Sequence, residues 1–242
     1  MLGTIVNTAA IVVGSVAGSV MHRGIGERYK RALYDSLGLA SLAIGLNATI
    51  THFPQSRYPV LFIVALAVGV VLGTALDIDG RFHRLVNRLQ KRTTPHRTPT
   101  GRNGGLGAGL SAAILLYCIG PLSMLGPVIS ALNGDNTFLF TNATLDLVSS
   151  FVFASTYGIG MVLAAPVLFL WQGLFYGVTC LSADAVSQPL MAELLITGGL
   201  LIMASGLSLL RIRDCKTLNM LPALLVPVLW FLVQYIMFGK TL

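Results

Sequence analysis

The chain has 242 residues, 55% of them hydrophobic and 10% charged, with a mean hydropathy of +0.78. Soluble domains carry about 25% charged residues, so the composition excludes one and indicates an all-α, multi-spanning membrane protein. The net charge of +7 does not imply nucleic-acid binding, because the basic residues sit in loops between apolar runs.

Leu2 to Met21 is about one bilayer in length and lacks the charged start of a secretory signal, so it reads as a retained first span. A basic loop at 22–31 follows, then a second span over Ala32–Ile50 and a third over Tyr58–Leu76. The segment 77–103 is the longest polar stretch. Its first part, 79–89, has apolar residues at 82, 85, 86 and 89 and suits a short amphipathic helix on the membrane surface. The remainder is rich in Gly and Pro and reads as a linker. A fourth span starts near Gly104 and is interrupted at Gly120-Pro121 and Gly126-Pro127, which predicts a broken or re-entrant element.

Thr137 to Leu181 is the most informative stretch, with Asp146 its single acidic or basic residue. As one helix it would be ~67 Å long, about twice the hydrocarbon thickness, so it must fold back. Gly158 and Gly160 mark the place. Spans over Pro189–Leu210 and Leu218–Phe238 complete a set of about eight transmembrane helices.

Charge tests this map. The loops at 22–31, 77–103 and 211–216 hold 14 of the 16 Lys and Arg residues. With eight spans all three fall on one side, which the positive-inside rule makes the cytoplasm, leaving both termini outside. The spans also contain a faint self-similarity. Gly14/Gly18 matches Gly173/Gly177, Gly38-Leu39 and Gly45-Leu46 match Gly199-Leu200 and Gly206-Leu207, and Pro59-Val60-Leu61 matches Pro222-Ala223-Leu224. Spans one to three thus align with six to eight as an inverted three-helix repeat, 1–76 with 159–242, inside a single transmembrane domain.

The candidate site follows from polar groups in these apolar runs. Asp146 is the first choice for a pathway residue, with a helix cap as the competing reading. Asn142 lies one turn before it on the same face. Asn7, Gln172 and Asn219 are uncharged intramembrane groups that either join helices or line a pathway. Gly120, Pro121, Gly126 and Pro127 free backbone groups that hydrocarbon cannot satisfy. Glu193 is read as an exposed acid in the first turn of span seven. The scattered Cys and His residues form no metal-ligand spacing, and no nucleophile–base constellation is visible, so neither cofactor nor enzymatic activity is expected.

GTIVNTAAIVVGSVAG at 3–18, GIGER at 24–28, LGLASLAIGL at 37–46, GDNTFLFTNATLD at 134–146, FASTYGIG at 153–160 and NMLPALL at 219–225 occur in that order. Together they resemble the YdfK/YqgA-like family of bacterial inner-membrane proteins, a family of unknown function often labelled transporters. The resemblance implies a multi-pass protein of the bacterial inner (plasma) membrane with no defined substrate. The expected function is a transporter or channel for a small solute or ion, coupled to a proton or cation through Asp146. The alternative is a structural or interaction protein of the bilayer. Assembly as a homo-oligomer is left open by the sequence.

Overall fold

The computed structural model describes residues 1–20, 26–81, 84, 106–181 and 186–238. Residues 22–25 of the basic loop at 22–31, most of the amphipathic segment expected over 79–89 and the linker up to 103 lie outside the described residues. The described residues are helical, with no strand among them. Among the described residues six stretches are long and apolar enough to cross a membrane: Leu2–Val20, Glu27–Gln55, Thr137–Tyr157, Ile159–Leu181, Gln188–Leu209 and Thr217–Met237.

In chain order the helices are α1 (Leu2–Val20), α2 (Glu27–His52), α3 (Leu61–Ala75), α4 (Leu106–Ile119), α5 (Pro121–Asn133), α6 (Thr137–Tyr157), α7 (Ala164–Leu181), α8 (Gln188–Leu209) and α9 (Leu225–Phe238). Short helical turns over Thr217–Met220 and Leu221–Leu224 lead into α9. The expected eighth span is thus helical throughout but tightens before it settles. The chain divides into two compact units. One contains Met1–Leu33 and Phe82–Ala183, the other Tyr34–Arg81 and Asp184–Leu242.

In the first unit α1 and α6 run parallel along one seam. Gly3 meets Leu139, Gly14 meets Leu147 and Ser150, and Gly18 meets Phe151. A Cβ on Gly14 or Gly18 would overlap the carbonyl of Leu147 or Phe151, so the seam closes only because these positions are glycine. The α4–α5 pair traverses the unit in the opposite sense. Gly109 of α4 packs on Tyr157 at the end of α6, and Gly126 of α5 packs on Leu139 near its start. The fourth element is therefore one interrupted crossing rather than a re-entrant hairpin.

Only the first Gly-Pro pair interrupts it. Gly120 is extended, with φ −60° and ψ 142°, whereas α5 continues through Gly126-Pro127. A residue before proline avoids the helical region partly through its Cβ, which glycine lacks. Gly126 can therefore remain helical, and its bare Cα accepts Leu139.

At the end of α6, Gly158 takes φ +89°, a conformation that L side chains rarely adopt. The chain turns there through Ile159–Leu163 into α7, which runs back antiparallel to α6. Ala164 and Ala165 share a core with Ala154, Ile11 and Tyr117, while Gln172 reaches Ser123 of α5. The expected fold-back is present.

In the second unit α2 and α8 cross antiparallel through glycine. A Cβ on Gly38 would stand 3.0 Å from the Gly206 carbonyl oxygen, one on Gly206 2.8 Å from that of Gly38, and Gly45 abuts Gly199. Gly69 and Gly73 of α3 likewise press on Ala223 and Asn219. Leu61, Leu190 and Phe231 close one end as a small apolar core. In contrast, among the described residues a Cβ added at Gly173 of α7 would meet only the Met1 methyl, at 3.7 Å, and one at Gly177 nothing within 4 Å.

Candidate functional site

The strongest candidate lies inside the first unit, around Asp146. The helix containing it starts at Thr137 after Asn136, so Asp146 is about 13 Å along α6, near its middle, and does not cap it. Its side chain is 3% exposed. Asn142, one turn earlier, donates from Nδ2 to Asp146 Oδ2 at 2.9 Å. Asn7 of α1 is fully buried and interacts with the same carboxyl across the seam. Neither its Nδ2 nor its Oδ1 completes a well-formed hydrogen bond with protein. Cys118, two residues before the Gly120 break, is within electrostatic reach of the Asp146 charge.

The parallel seam explains why these groups meet. Thr4, Asn7, Ile11 and Ser15 recur at helical spacing on one buried stripe of α1, and that stripe faces α6. The Thr4 and Ser15 hydroxyls also have no hydrogen-bond partner among the described residues. On α6 the facing line is Asn142, Asp146, Ser149 and Ser150, all buried. A second polar contact lies just past the break, where Gln172 Nε2 donates to Ser123 Oγ at 3.1 Å while Gln172 Oε1 has no partner. Pro127 also lacks the N–H that would bond the Ser123 carbonyl four residues earlier. This region thus combines a buried carboxylate, buried amides and freed backbone at a mid-crossing break.

Of the sequence candidates, Asn7, Asn142 and Asp146 come together, and Gly120, Pro121 and Gln172 belong to the neighbouring break. Gly126 and Pro127 are buried further along α5 against Leu139. Asn219 belongs to the second unit, where its Oδ1 accepts from the Asp79 N–H at 2.9 Å and ties down the chain after α3.

Two features were missed. Asn136 is a junction: its Oδ1 accepts from Gly3 N at 3.2 Å and Ser130 Oγ at 2.8 Å, joining α1 and α5 at the start of α6. The Gly134-Asp135-Asn136 turn was the available signal, since such residues favour helix starts. The second feature corrects the reading of Glu193. It is not an exposed first-turn acid but is 0% exposed. Pro189 and the Ser187 cap start α8 before it, so Glu193 falls in the second turn and faces inward. There its Oε1 accepts from Ser56 Oγ at 2.5 Å and from Tyr58 N at 3.1 Å.

The family model described as "Protein of unknown function (DUF554)" matches residues 2–232. Over 227 residues, 94% of each chain, the sequence is 46% identical to the uncharacterized membrane protein YdfK of Bacillus subtilis (strain 168). It is 26% identical to the uncharacterized protein YqgA of Escherichia coli (strain K12), also over 227 residues, 93% of this chain and 94% of the relative. No solved structure matches. With its apolar helices and a family match along nearly the whole chain, the protein belongs to the DUF554 family and is an all-α polytopic membrane protein.

Proposed function

We propose that the protein moves a small solute or ion across the membrane, with Asp146 in the pathway and a proton or small cation coupled to the movement. The observation that carries this reading is the cluster around Asp146. A mid-helix carboxylate lies near an interrupted crossing, beside amide and hydroxyl groups that the protein does not satisfy. Each unsatisfied buried group costs about 1–3 kcal/mol. Helices that only had to pack together would do so more stably with apolar side chains at Thr4, Asn7 and Ser15. Broken helices that offer freed backbone groups near the midplane are a common build of transporter sites.

The crossing of α2 and α8 supports the transporter architecture from the other unit. Gly38 and Gly45 match Gly199 and Gly206 in the inverted repeat, and they pack reciprocally, Gly38 on Gly206 and Gly45 on Gly199. Such an exchange is what a two-fold axis produces between matched elements. Each repeat then gives its first helix to one unit and its other two to the other.

The same proposal puts the protein in the bacterial inner membrane with both termini outside the cytoplasm, following the distribution of basic residues. A single cysteine at Asp135 is expected to react with an impermeant reagent added outside, and one at Arg213 is not. The reverse pattern refutes the orientation. The function is tested by flux into proteoliposomes, screened over small solutes and ions and measured against pH and cation. Asp146→Asn preserves the size of the side chain and is expected to abolish that dependence. Equal, superimposable curves for wild type and variant would reduce Asp146 to a structural group and favour a scaffold.

A further inference from the structure

The second unit contains a polar site that the transport proposal does not use. Glu193 is fully buried in α8, yet its two hydrogen bonds come from neutral donors, the Ser56 hydroxyl and the Tyr58 N–H. Both fall on Oε1. The other oxygen, Oε2, is buried and has no hydrogen-bond partner among the described residues. One helical turn further along the same face, Thr197 is also fully buried, and its Oγ1 has no partner. Two uncompleted oxygens thus share one face of the same helix.

The chemistry of these donors narrows the occupant. An O–H···O contact of 2.5 Å is in the range of charge-assisted bonds to a carboxylate. A buried carboxylate in its ionised form requires compensation by opposite charge, and neutral donors on one oxygen do not supply it. Arg57, the basic residue between the two donors, is exposed. His52, at the end of α2, has its Nδ1 engaged with the Ala48 carbonyl at 2.8 Å. The Tyr58 hydroxyl is occupied by Gln234, at 2.7 and 3.1 Å. The uncompleted atoms are a carboxylate oxygen and a hydroxyl oxygen, both hard donors, which suit alkali or alkaline-earth ions rather than soft metals. Among the described residues no three His, Cys, Asp or Glu side chains gather to hold a metal ion, and one carboxylate balances one positive charge.

We infer that Glu193 Oε2 and Thr197 Oγ1 form part of a binding site for a small monovalent cation, with Na⁺ the size to test first. The loop carrying Ser56 and Tyr58 orients the carboxylate by holding Oε1, which leaves Oε2 for the ion. This inference does not depend on Asp146 or on transport.

Thermal unfolding of the full-length, detergent-purified protein tests it, in NaCl, LiCl, KCl or choline chloride at equal ionic strength. A ligand that binds the folded state raises the midpoint in a saturable way. In wild type and Asp146→Asn, Na⁺ or Li⁺ is expected to raise the midpoint relative to choline. Thr197→Val, nearly isosteric but without the hydroxyl, is expected to raise the half-saturating concentration about tenfold. Glu193→Gln is expected to lose the response. If Glu193→Gln does not fold, Thr197→Val decides alone, and unchanged half-saturation overturns the site. Identical midpoints in all four salts between pH 6 and 9 also overturn it. So does a response that survives Glu193→Gln but disappears in Asp146→Asn, because the ion would then belong to the first unit.

Discussion

Among the described residues Asp146 and Glu193 are the buried carboxylates of their respective units, and the chain handles them differently. Asp146 lies near the middle of α6 and is bonded by an amide of its own helix, with Asn7 facing it across a glycine seam. Glu193 lies about 7 Å into α8 and is held by a loop that reaches over from between α2 and α3. The first carboxylate is positioned by helix packing alone. The second needs an irregular segment whose backbone N–H must itself find an acceptor. A helix–helix seam suits a site set deep in hydrocarbon, where exposed loops do not occur. A loop-held carboxylate belongs nearer a helix end.

The largest effect expected from breaking this comparison comes from the seams. Gly14→Leu would drive a side chain into the Leu147 carbonyl, and Gly45→Leu would do the same at Gly199. Overpacking a core costs about 1–3 kcal/mol, and these clashes with backbone should exceed it because neither helix can yield locally. Both variants are expected to lose the monodisperse peak in size-exclusion chromatography. Gly177→Leu, at a position where an added Cβ meets nothing within 4 Å among the described residues, should behave as wild type. Normal behaviour of Gly14→Leu would mean that α1 and α6 are not in close contact, and the Asp146 site would lose its far wall.

An intermediate effect separates the two ways of holding a carboxylate. Asn142→Ala removes the helical donor to Asp146, and Ser56→Ala removes the loop donor to Glu193. Hydrogen bonds to charged groups contribute about 1.5–3 kcal/mol, so each variant should fall in that range by denaturant titration. Ser56→Ala should also increase proteolysis within the 53–58 loop, whereas Asn142→Ala should leave it unchanged. Equal cleavage in both variants would show that Glu193 does not anchor the loop.

Much of the helical map could be read from the residues, because an apolar run of bilayer length has few alternatives and a charge inside it stands out. Asp146 was legible for that reason, and so was the reversal at Gly158, where length alone demanded a break. Glu193 was not legible. Whether an acid near a helix start faces water or the interior depends on a partner far along the chain, and here the partners are Ser56 and Tyr58. The two Gly-Pro pairs were likewise indistinguishable as dipeptides. Leu139, whose side chain would stand 2.9 Å from a Cβ added at Gly126, distinguishes the continuous one, and this contact exists only once α5 and α6 are in place. Asn7 was legible as a polar group in a span, but not as one that faces a carboxylate without completing a hydrogen bond.

That last property gives the smallest expected change in stability and the sharpest test of the first unit. A buried amide that forms its full complement of hydrogen bonds stabilises a fold, and replacing it leaves partners unsatisfied. Asn7 completes none within the protein, so Asn7→Leu should remove an unmet desolvation cost while keeping a similar volume. The midpoint of thermal unfolding is therefore expected to stay level or rise by a few degrees, on the order of 1 kcal/mol in stability. Flux in proteoliposomes should fall at least tenfold, because the α1 amide that faces Asp146 across the seam is gone. Higher stability with lost flux is the pattern of a functional site maintained at the expense of packing. A marked fall in stability would instead show that Asn7 joins α1 to α6, and the buried polar stripe would then serve to hold the helices together.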